Sequence, residues 1–268
     1  MVSKSMTAAT IARSFHEARR SARPLSAFPG DLPTDLAQAY AVQEAAIALW
    51  PEPVRGWKVA AIHPDLRQRF GAARMAGQAF AGGVVPVTPG TVGEVAVIDG
   101  GFIAVETEIG IVMGADLPPR TRPWTRDELV PFVGEVRVAM EIAGSPLPSI
   151  NEIGPPAIVS DFGNNTAIAL GAPLAIAQGL SDIETAMLID GEVAGRGRSH
   201  GPNGGPLDAL LFLVNHLAGR GRGLAKGEVV SAGATTGVHP IAIGQGAEAV
   251  CAGAPPLSVR LVAREPAR

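Results

Sequence analysis

Cysteine is all but missing from this chain of 268 residues, with Cys251 its one example, so no disulfide can form within it. The chain suits a reducing compartment, and cytoplasm is the expected location. A basic excess is also missing. Lys and Arg number 22 against 25 Asp and Glu, and the net charge of -3 argues against nucleic acid as the main partner. No apolar run approaches the ~20 residues that a membrane helix requires, so no membrane partner is expected. Arg13, Arg19, Arg20 and Arg23 lie near the N-terminus without an apolar stretch behind them, which argues against a secretory signal. Aromatic residues are scarce at 4%, while glycine (33) and proline (23) are plentiful. That balance favours turns and short strands over a helical bundle. With 47% hydrophobic and 18% charged residues the chain is globular and long enough to bury a substantial core.

Helical patterns are confined to the first third and one later segment. An Ala/Arg-rich stretch covers residues 7–20, and a second helix is expected from Thr34 as N-cap to Trp50, stopped by Pro51, with Leu36, Tyr40, Gln43, Ile47 and Trp50 on one face. Residues 54–60 read as a strand and 65–70 as a short helix, followed by a Gly-rich passage over 71–83 that suggests a soft boundary. Beyond it, strands are expected at 92–98, 102–112, 135–143, 185–197, 227–232 and 257–263. Asp190-Gly191 marks a hairpin turn, because both central positions of such a turn favour positive φ. Pro206 to Ala218 reads as a buried helix with apolar residues around most of its circumference. The chain thus divides into an N-terminal helical region, 1–83, contributing one strand with Lys58, and a strand-rich domain, 84–268.

Within Phe102-Ile-Ala-Val-Glu-Thr-Glu-Ile-Gly-Ile-Val112 two carboxylates sit two residues apart in an apolar run. Successive strand side chains alternate, so Glu106 and Glu108 share a face, about 6 to 7 Å apart along the strand. Ile103, Val105, Thr107, Ile109 and Ile111 form the opposite, core-type face. Two such carboxylates resist ionising together unless a cation lies between them, although a Glu-x-Glu on a solvated face needs none. Glu141, on the alternating segment 135–143, is placed to meet the pair from a neighbouring strand. Three carboxylates without a His or Cys cluster favour a hard cation, Mg²⁺ or Mn²⁺, over zinc.

Gly56-Trp-Lys-Val59, Val105-Glu-Thr-Glu-Ile109 with Asp116-Leu-Pro118, Met140-Glu-Ile142, Asp161 to Gly171 and Leu224 to Pro240 together resemble the 2-keto-4-pentenoate hydratase and 4-oxalocrotonate decarboxylase family, of the fumarylacetoacetate-hydrolase-like superfamily. The resemblance runs in order from about residue 34 to 263. It implies an α+β fold, a mixed β-roll or sandwich with a smaller helical N-terminal region, and a divalent metal held by Glu106, Glu108 and Glu141. Lys58, in the Gly-aromatic-Lys motif, is implied as the catalytic residue, its pKa lowered by burial for proton transfer. Asp161, Asn164, Asn165 and Thr236 are implied as substrate-binding residues. The implied activity is a metal-dependent lyase of aromatic-compound catabolism, hydrating a small 2-oxo or 2-hydroxydienoic acid. Acylpyruvate C–C hydrolysis, 2-oxo acid decarboxylation and non-catalytic oxo-acid binding are the alternatives. A homo-oligomer is expected, since oligomers are common in the family.

The chain departs from the family pattern at three places. Met75-Ala76 stands where Pro-Asp is usual, Asn164-Asn165 replaces a Ser-Ser pair, and Gly144-Ser145-Pro146 replaces Asp-Ser-Arg, removing an arginine. Gly195-Arg-Gly-Arg-Ser-His-Gly201 is not a dinucleotide fingerprint, because its third glycine is one residue late and no βαβ unit surrounds it. Arg196, Arg198, His63, His200 and His239 are loop candidates for reaching a substrate tail, while His216 and Cys251 read as core residues.

Overall fold

The computed structural model describes residues 7–267, so residues 1–6 and 268 of the two expected regions lie outside it. The chain opens with α1 (Ala8–Ser21) and α2 (Leu36–Leu49), then β1 (Val54–Ala61), α3 (Pro64–Phe70), β2 (Arg74–Phe80), β3 (Val84–Pro86), β4 (Val92–Val97) and β5 (Phe102–Met113). It continues through α4 (Arg126–Leu129), β6 (Val133–Ser145), α5 (Ile150–Ile153), α6 (Pro155–Ser160), β7 (Asn165–Leu174), α7 (Ile176–Gly179), β8 (Glu184–Ile189) and β9 (Glu192–Arg198). Helix α8 (Pro206–Ala218) and strands β10 (Val229–Ser231), β11 (His239–Pro240), β12 (Gly246–Cys251) and β13 (Leu257–Ala263) complete it.

Two sheets carry these strands: an eight-stranded one in the order β2-β1-β10-β5-β6-β7-β3, with β11 also on β5, and a five-stranded one in the order β4-β13-β12-β8-β9. The apolar face expected of 102–112 lies between the sheets. Val105, Ile109 and Ile111 pack there with Val136, Val138 and Met140 of β6, Val259 and Leu261 of β13 and Leu210 and Leu213 of α8. Thr107, the one polar group on that face, donates its hydroxyl to the Ala186 carbonyl of the second sheet at 2.9 Å, which satisfies it and ties the layers together. The opposite face of the large sheet, the one carrying the glutamates, turns toward the N-terminal helices, whose Phe15, Val42 and Ala46 pack with Met75, Phe80, Ile158 and Phe162.

The N-terminal region differs from expectation in three respects, each with a local cause. The Gly-rich passage 71–83 contains β2, a fully buried strand paired antiparallel with β1, and β1 in turn pairs parallel with β10, so the sheet runs on through the expected boundary. Gly77 is required there because a Cβ at that position would lie 1.8 Å from the Phe162 carbonyl oxygen. Asp35, not Thr34, caps α2, accepting the Gln38 N–H at 2.8 Å. The buried face of α2 is also rotated from the expected one: Leu36, Ala39, Val42, Gln43 and Ala46 are buried, with the Gln43 amide donating to the Ala76 and Val159 carbonyls at 3.1 and 2.9 Å. Elsewhere the Asp190-Gly191 turn joins β8 to β9, and the helix at 206–218 has the expected limits.

Arg19, buried in the last turn of α1, reaches across to the Asp161 turn. Its Nε and Nη2 donate to the two Asp161 carboxylate oxygens at 2.6 and 2.9 Å, and Nη2 also donates to the Gly144 carbonyl at 2.9 Å. Breaking a buried pair of this kind strands the remaining charge. Arg19→Ala is therefore expected to cost about 3–5 kcal/mol of stability, read from denaturant unfolding with the metal present. Arg19→Ala unfolding at the wild-type midpoint would show that the pair holds nothing.

Candidate metal centre

Strand register brings the three glutamates together. β5 and β6 pair antiparallel with Glu106 directly opposite Glu141 and Glu108 opposite Ala139. One carboxylate oxygen from each of Glu106, Glu108 and Glu141 lies within 4.8 Å of the others, and all three residues are buried. Like charges directly opposite on paired strands repel, and burial removes the water that would screen them. Burial first, and then the charge of Glu141, pushes the Glu106 carboxyl up to about 8 against the opposing pull of Lys58. Glu108 is held well above the carboxylate range by burial and by the charges of Glu141 and Glu106. Two donors oppose that shift. The Ser231 hydroxyl and the Gly233 N–H, the latter at 2.8 Å, both donate to Glu108 Oε2. Glu141 Oε1 accepts from the Asn165 amide at 3.1 Å, while its Oε2 is buried with no hydrogen-bond partner.

Lys58 enters from β1, where it lies opposite Ser231 of β10 and Gly77 of β2. Its Nζ stands 3.2 Å from Glu141 Oε1 and donates to Asn164 Oδ1 at 3.3 Å. Burial by itself would lower the lysine pKa, as expected from the sequence. The charges of Glu141, Glu106 and Glu108 outweigh burial, however, and the net shift is upward. The expectation fails because it counted desolvation without the three carboxylates that the fold gathers around the amine.

A tight turn positions the two asparagines. Phe162, Gly163 and Asn164 take positive φ values of 55°, 68° and 54°, a conformation that asparagine tolerates better than most residues. The turn lies against Gly77 and the Lys58 stem, which presents Asn164 to the amine and Asn165 to Glu141. Asn164 also donates to Asn151 Oδ1 at 2.9 Å.

A cavity of about 470 Å³ opens onto Lys58, Glu106 and Asn164. Other expected site residues lie outside it. Asp161 is fully buried, its oxygens engaged by Arg19 and by the Ser145 hydroxyl at 2.6 Å. Thr236 stands beside His239, 3.3 Å from its ring Nε2, while Ala232, Gly233, Ala234 and Val238 of the same segment line the cavity. Asn165 meets Glu141 without lining the cavity. Of the loop candidates, His63 is at the mouth, whereas Arg198 pairs with Asp182 at 2.7 Å on β9. His216 is held neutral by burial and by Arg220, its pKa lowered to about 4. Ser231 and Gly233, which hold Glu108, escape sequence reading, because only the β10 register places them beside it.

The raised carboxyls give the metal-free protein a definite pH dependence. A carboxyl that titrates higher in the folded state than in the unfolded chain binds more protons when folded, so its contribution is complete below the ordinary carboxylate range and is lost as pH rises toward 8. In chelator, stability is expected to fall between pH 5 and 8.5 by up to about 1.4 kcal/mol per pH unit for each retained proton. The stabilisation produced by added Mg²⁺ or Mn²⁺ should grow over the same interval. Thermal unfolding with and without chelator across that range checks both, and a gain from metal that is independent of pH would rule out this account of the carboxylates.

No protein-family model matches the chain. Among solved structures, 4-oxalocrotonate decarboxylase from Pseudomonas putida G7, complexed with calcium and acetate or with magnesium and adipate, superposes with a TM-score of 0.78 at 21% identity, covering 95% of this chain and 97% of that one. The chain has the fold of that decarboxylase. Fumarylpyruvate hydrolase from Pseudomonas aeruginosa, in complex with Mn²⁺ and pyruvate, follows at a TM-score of 0.59 and 19% identity, with 80% of this chain and 91% of that one covered. A 5-carboxymethyl-2-hydroxymuconate delta-isomerase from Mycobacterium smegmatis gives 0.56 at 16% identity, covering 80% and 81%. The α+β fold expected from the sequence, a mixed β-roll or sandwich, is thus the one observed.

Proposed function

We propose that this chain is a divalent-metal-dependent enzyme acting on a small 2-oxo or 2-hydroxydienoic acid, and that the reaction is hydration. The observation that carries the proposal is the buried Glu106–Glu108–Glu141 cluster, with an unpartnered Glu141 oxygen and a lysine at its edge, opening on a cavity. Three oxygen donors and no soft ligand fit Mg²⁺ or Mn²⁺, and of the solved structures that share the fold the decarboxylase was crystallised with calcium or magnesium and the fumarylpyruvate hydrolase with Mn²⁺. Glu106, Glu108 and Glu141 would hold the ion, which when bound supplies Lewis-acid stabilisation of negative charge developing at the C2 oxygen of a 2-oxo acid.

Three carboxylates against a divalent ion leave one negative charge, which the Lys58 ammonium balances. An anionic substrate is then accepted at a neutral site. Lys58 Nζ, 3.2 Å from Glu141 and on the wall of the cavity, is the group placed to donate a proton to the substrate and to recover it. Asn164 fixes the amine by accepting its hydrogen bond, and Asn165 fixes Glu141. Neither asparagine is an acid or a base at any accessible pH, Glu106 would be engaged with the metal and His63 stands at the exposed mouth, which leaves Lys58 as the proton-transferring group beside the glutamates.

A second reading, decarboxylation of a 2-oxo acid by the same groups, draws support from the TM-score of 0.78 against 4-oxalocrotonate decarboxylase. One experiment separates the two. The Mn²⁺-loaded protein is incubated with 2-hydroxydienoic acids while dienoate absorbance and released CO₂ are followed. Absorbance loss without CO₂ supports hydration, and equimolar CO₂ supports decarboxylation. Silence in both channels across the panel rejects the enzyme assignment.

A further inference from the structure

We infer that the cavity selects a 2-oxo acid whose tail is apolar and uncharged, and rejects dicarboxylates. The inference rests on the reading of the site given above and concerns the end of the cavity away from the glutamates. Beyond Lys58 and Glu106 the wall is built from Ala60, Ile62, Leu66, Met75, Ile158 and Val238. Ile62, Met75 and Ile158 are buried, whereas Leu66 is partly exposed and Val238 is exposed, so an apolar surface runs from the interior to the rim.

Among the described residues no arginine lines this cavity. The two nearest in sequence to its wall are already engaged. Arg67 donates to the Ile62 carbonyl at 2.9 Å and to Asn203, and Arg74 donates to the Asn203 carbonyl at 2.5 Å. At the mouth, the exposed His63 stands 3.6 Å from Asp65. At the end of β6, Gly144 and Ser145 serve the Arg19–Asp161 clamp and offer no cation. Asn151 and Asn164 are bonded to each other, and Asn164 to Lys58. A second carboxylate held within the cavity, short of the rim, would therefore lie against Ile62, Met75 and Ile158 with no cation to meet it, and an ionised group buried in that way is strongly disfavoured. By contrast, a decarboxylase sharing the fold was crystallised with adipate, a dicarboxylate.

The test compares three ligands on the Mn²⁺-loaded full chain by calorimetry: pyruvate for the head alone, 2-oxohexanoate, and 2-oxoadipate, which has the same chain length with a terminal carboxylate. We expect 2-oxohexanoate to bind at least about 100-fold more tightly than 2-oxoadipate, the discrimination of a site that leaves a charged group unpaired. Leu66→Arg, a substitution at a partly exposed position that the fold can accommodate, should narrow that ratio at least tenfold by providing the missing cation. Equal binding of the two acids, or tighter 2-oxoadipate binding, overturns the inference while pyruvate binding leaves the metal site standing. Absence of binding by pyruvate and both longer acids overturns the reading of the site and this inference with it.

Discussion

Glu106→Gln is expected to lower Mg²⁺ or Mn²⁺ affinity by about 100-fold or more while raising the stability of the metal-free protein. The affinity loss exceeds the ten- to hundredfold that removal of an outer-shell partner costs, because the carboxylate itself would be a ligand. The gain in stability has a separate cause. Glu106 lies directly opposite Glu141 on paired strands, and burial drives its carboxyl up to about 8. A neutral amide of the same shape removes the like-charge pair and keeps the packing. Opposite movements of the two quantities are the signature of a charge cluster maintained for a cation, since a merely structural carboxylate would lose stability on substitution. Calorimetric titration with Mn²⁺ and thermal unfolding in chelator at pH 8 give both readings. Unchanged Mn²⁺ affinity in Glu106→Gln would falsify the ligand assignment. Glu108→Gln should lose metal in the same way and also gain stability in chelator, because burial holds its carboxyl well above the carboxylate range even with the Ser231 and Gly233 donors in place, and an amide oxygen can still accept from both.

The second large effect belongs to Lys58→Met. Methionine keeps much of the apolar stem and removes the ammonium, so the loss reports on the charge and the proton. Turnover is expected to fall by about 10²–10⁴-fold, the usual contribution of a positioned acid or base, with metal binding retained. In chelator the variant should also lose about 3–5 kcal/mol of stability at pH 8, because the buried Glu141 is left without the cation that pairs with it. Added Mn²⁺ should restore most of that loss. Turnover close to wild type in Lys58→Met would remove the lysine from the reaction, whereas a stability loss that metal does not repair would mean that its role is packing.

Local alternation and turn chemistry were enough to find much of this architecture. The Glu-x-Glu run fixed which residues of β5 face the sheet interface and which face the helices, and the Asp190-Gly191 turn and the α8 boundaries followed from positive φ and helical spacing. What stayed hidden depends on distant partners. Gly77 reads as loop composition until the Phe162 carbonyl is seen pressed against it. The burial of Lys58 and the three glutamates could each be anticipated, yet the sign of the lysine's shift could not, because it turns on how closely the fold sets them, with Nζ 3.2 Å from Glu141. Asp161 carried the right motif and still points to Arg19, 142 residues earlier, away from the cavity. Ser231 and Gly233 had no chemical signature to separate them from any small residues near a turn.

The Arg19–Asp161 clamp gives the first helix a bearing on how the chain matures and how it can be engineered. Residue 19 leaves the ribosome long before residue 161, so the turn that offers Asn164 and Asn165 is completed only when the last-made half returns to a helix made at the outset. A fusion or trimming that unseats α1 would thus loosen, from a distance, the turn that holds Asn164 against Lys58 and Asn165 against Glu141, leaving every one of those side chains in the sequence. Expression vectors and directed-evolution libraries for this protein should treat residues 8–21 as belonging to the working core.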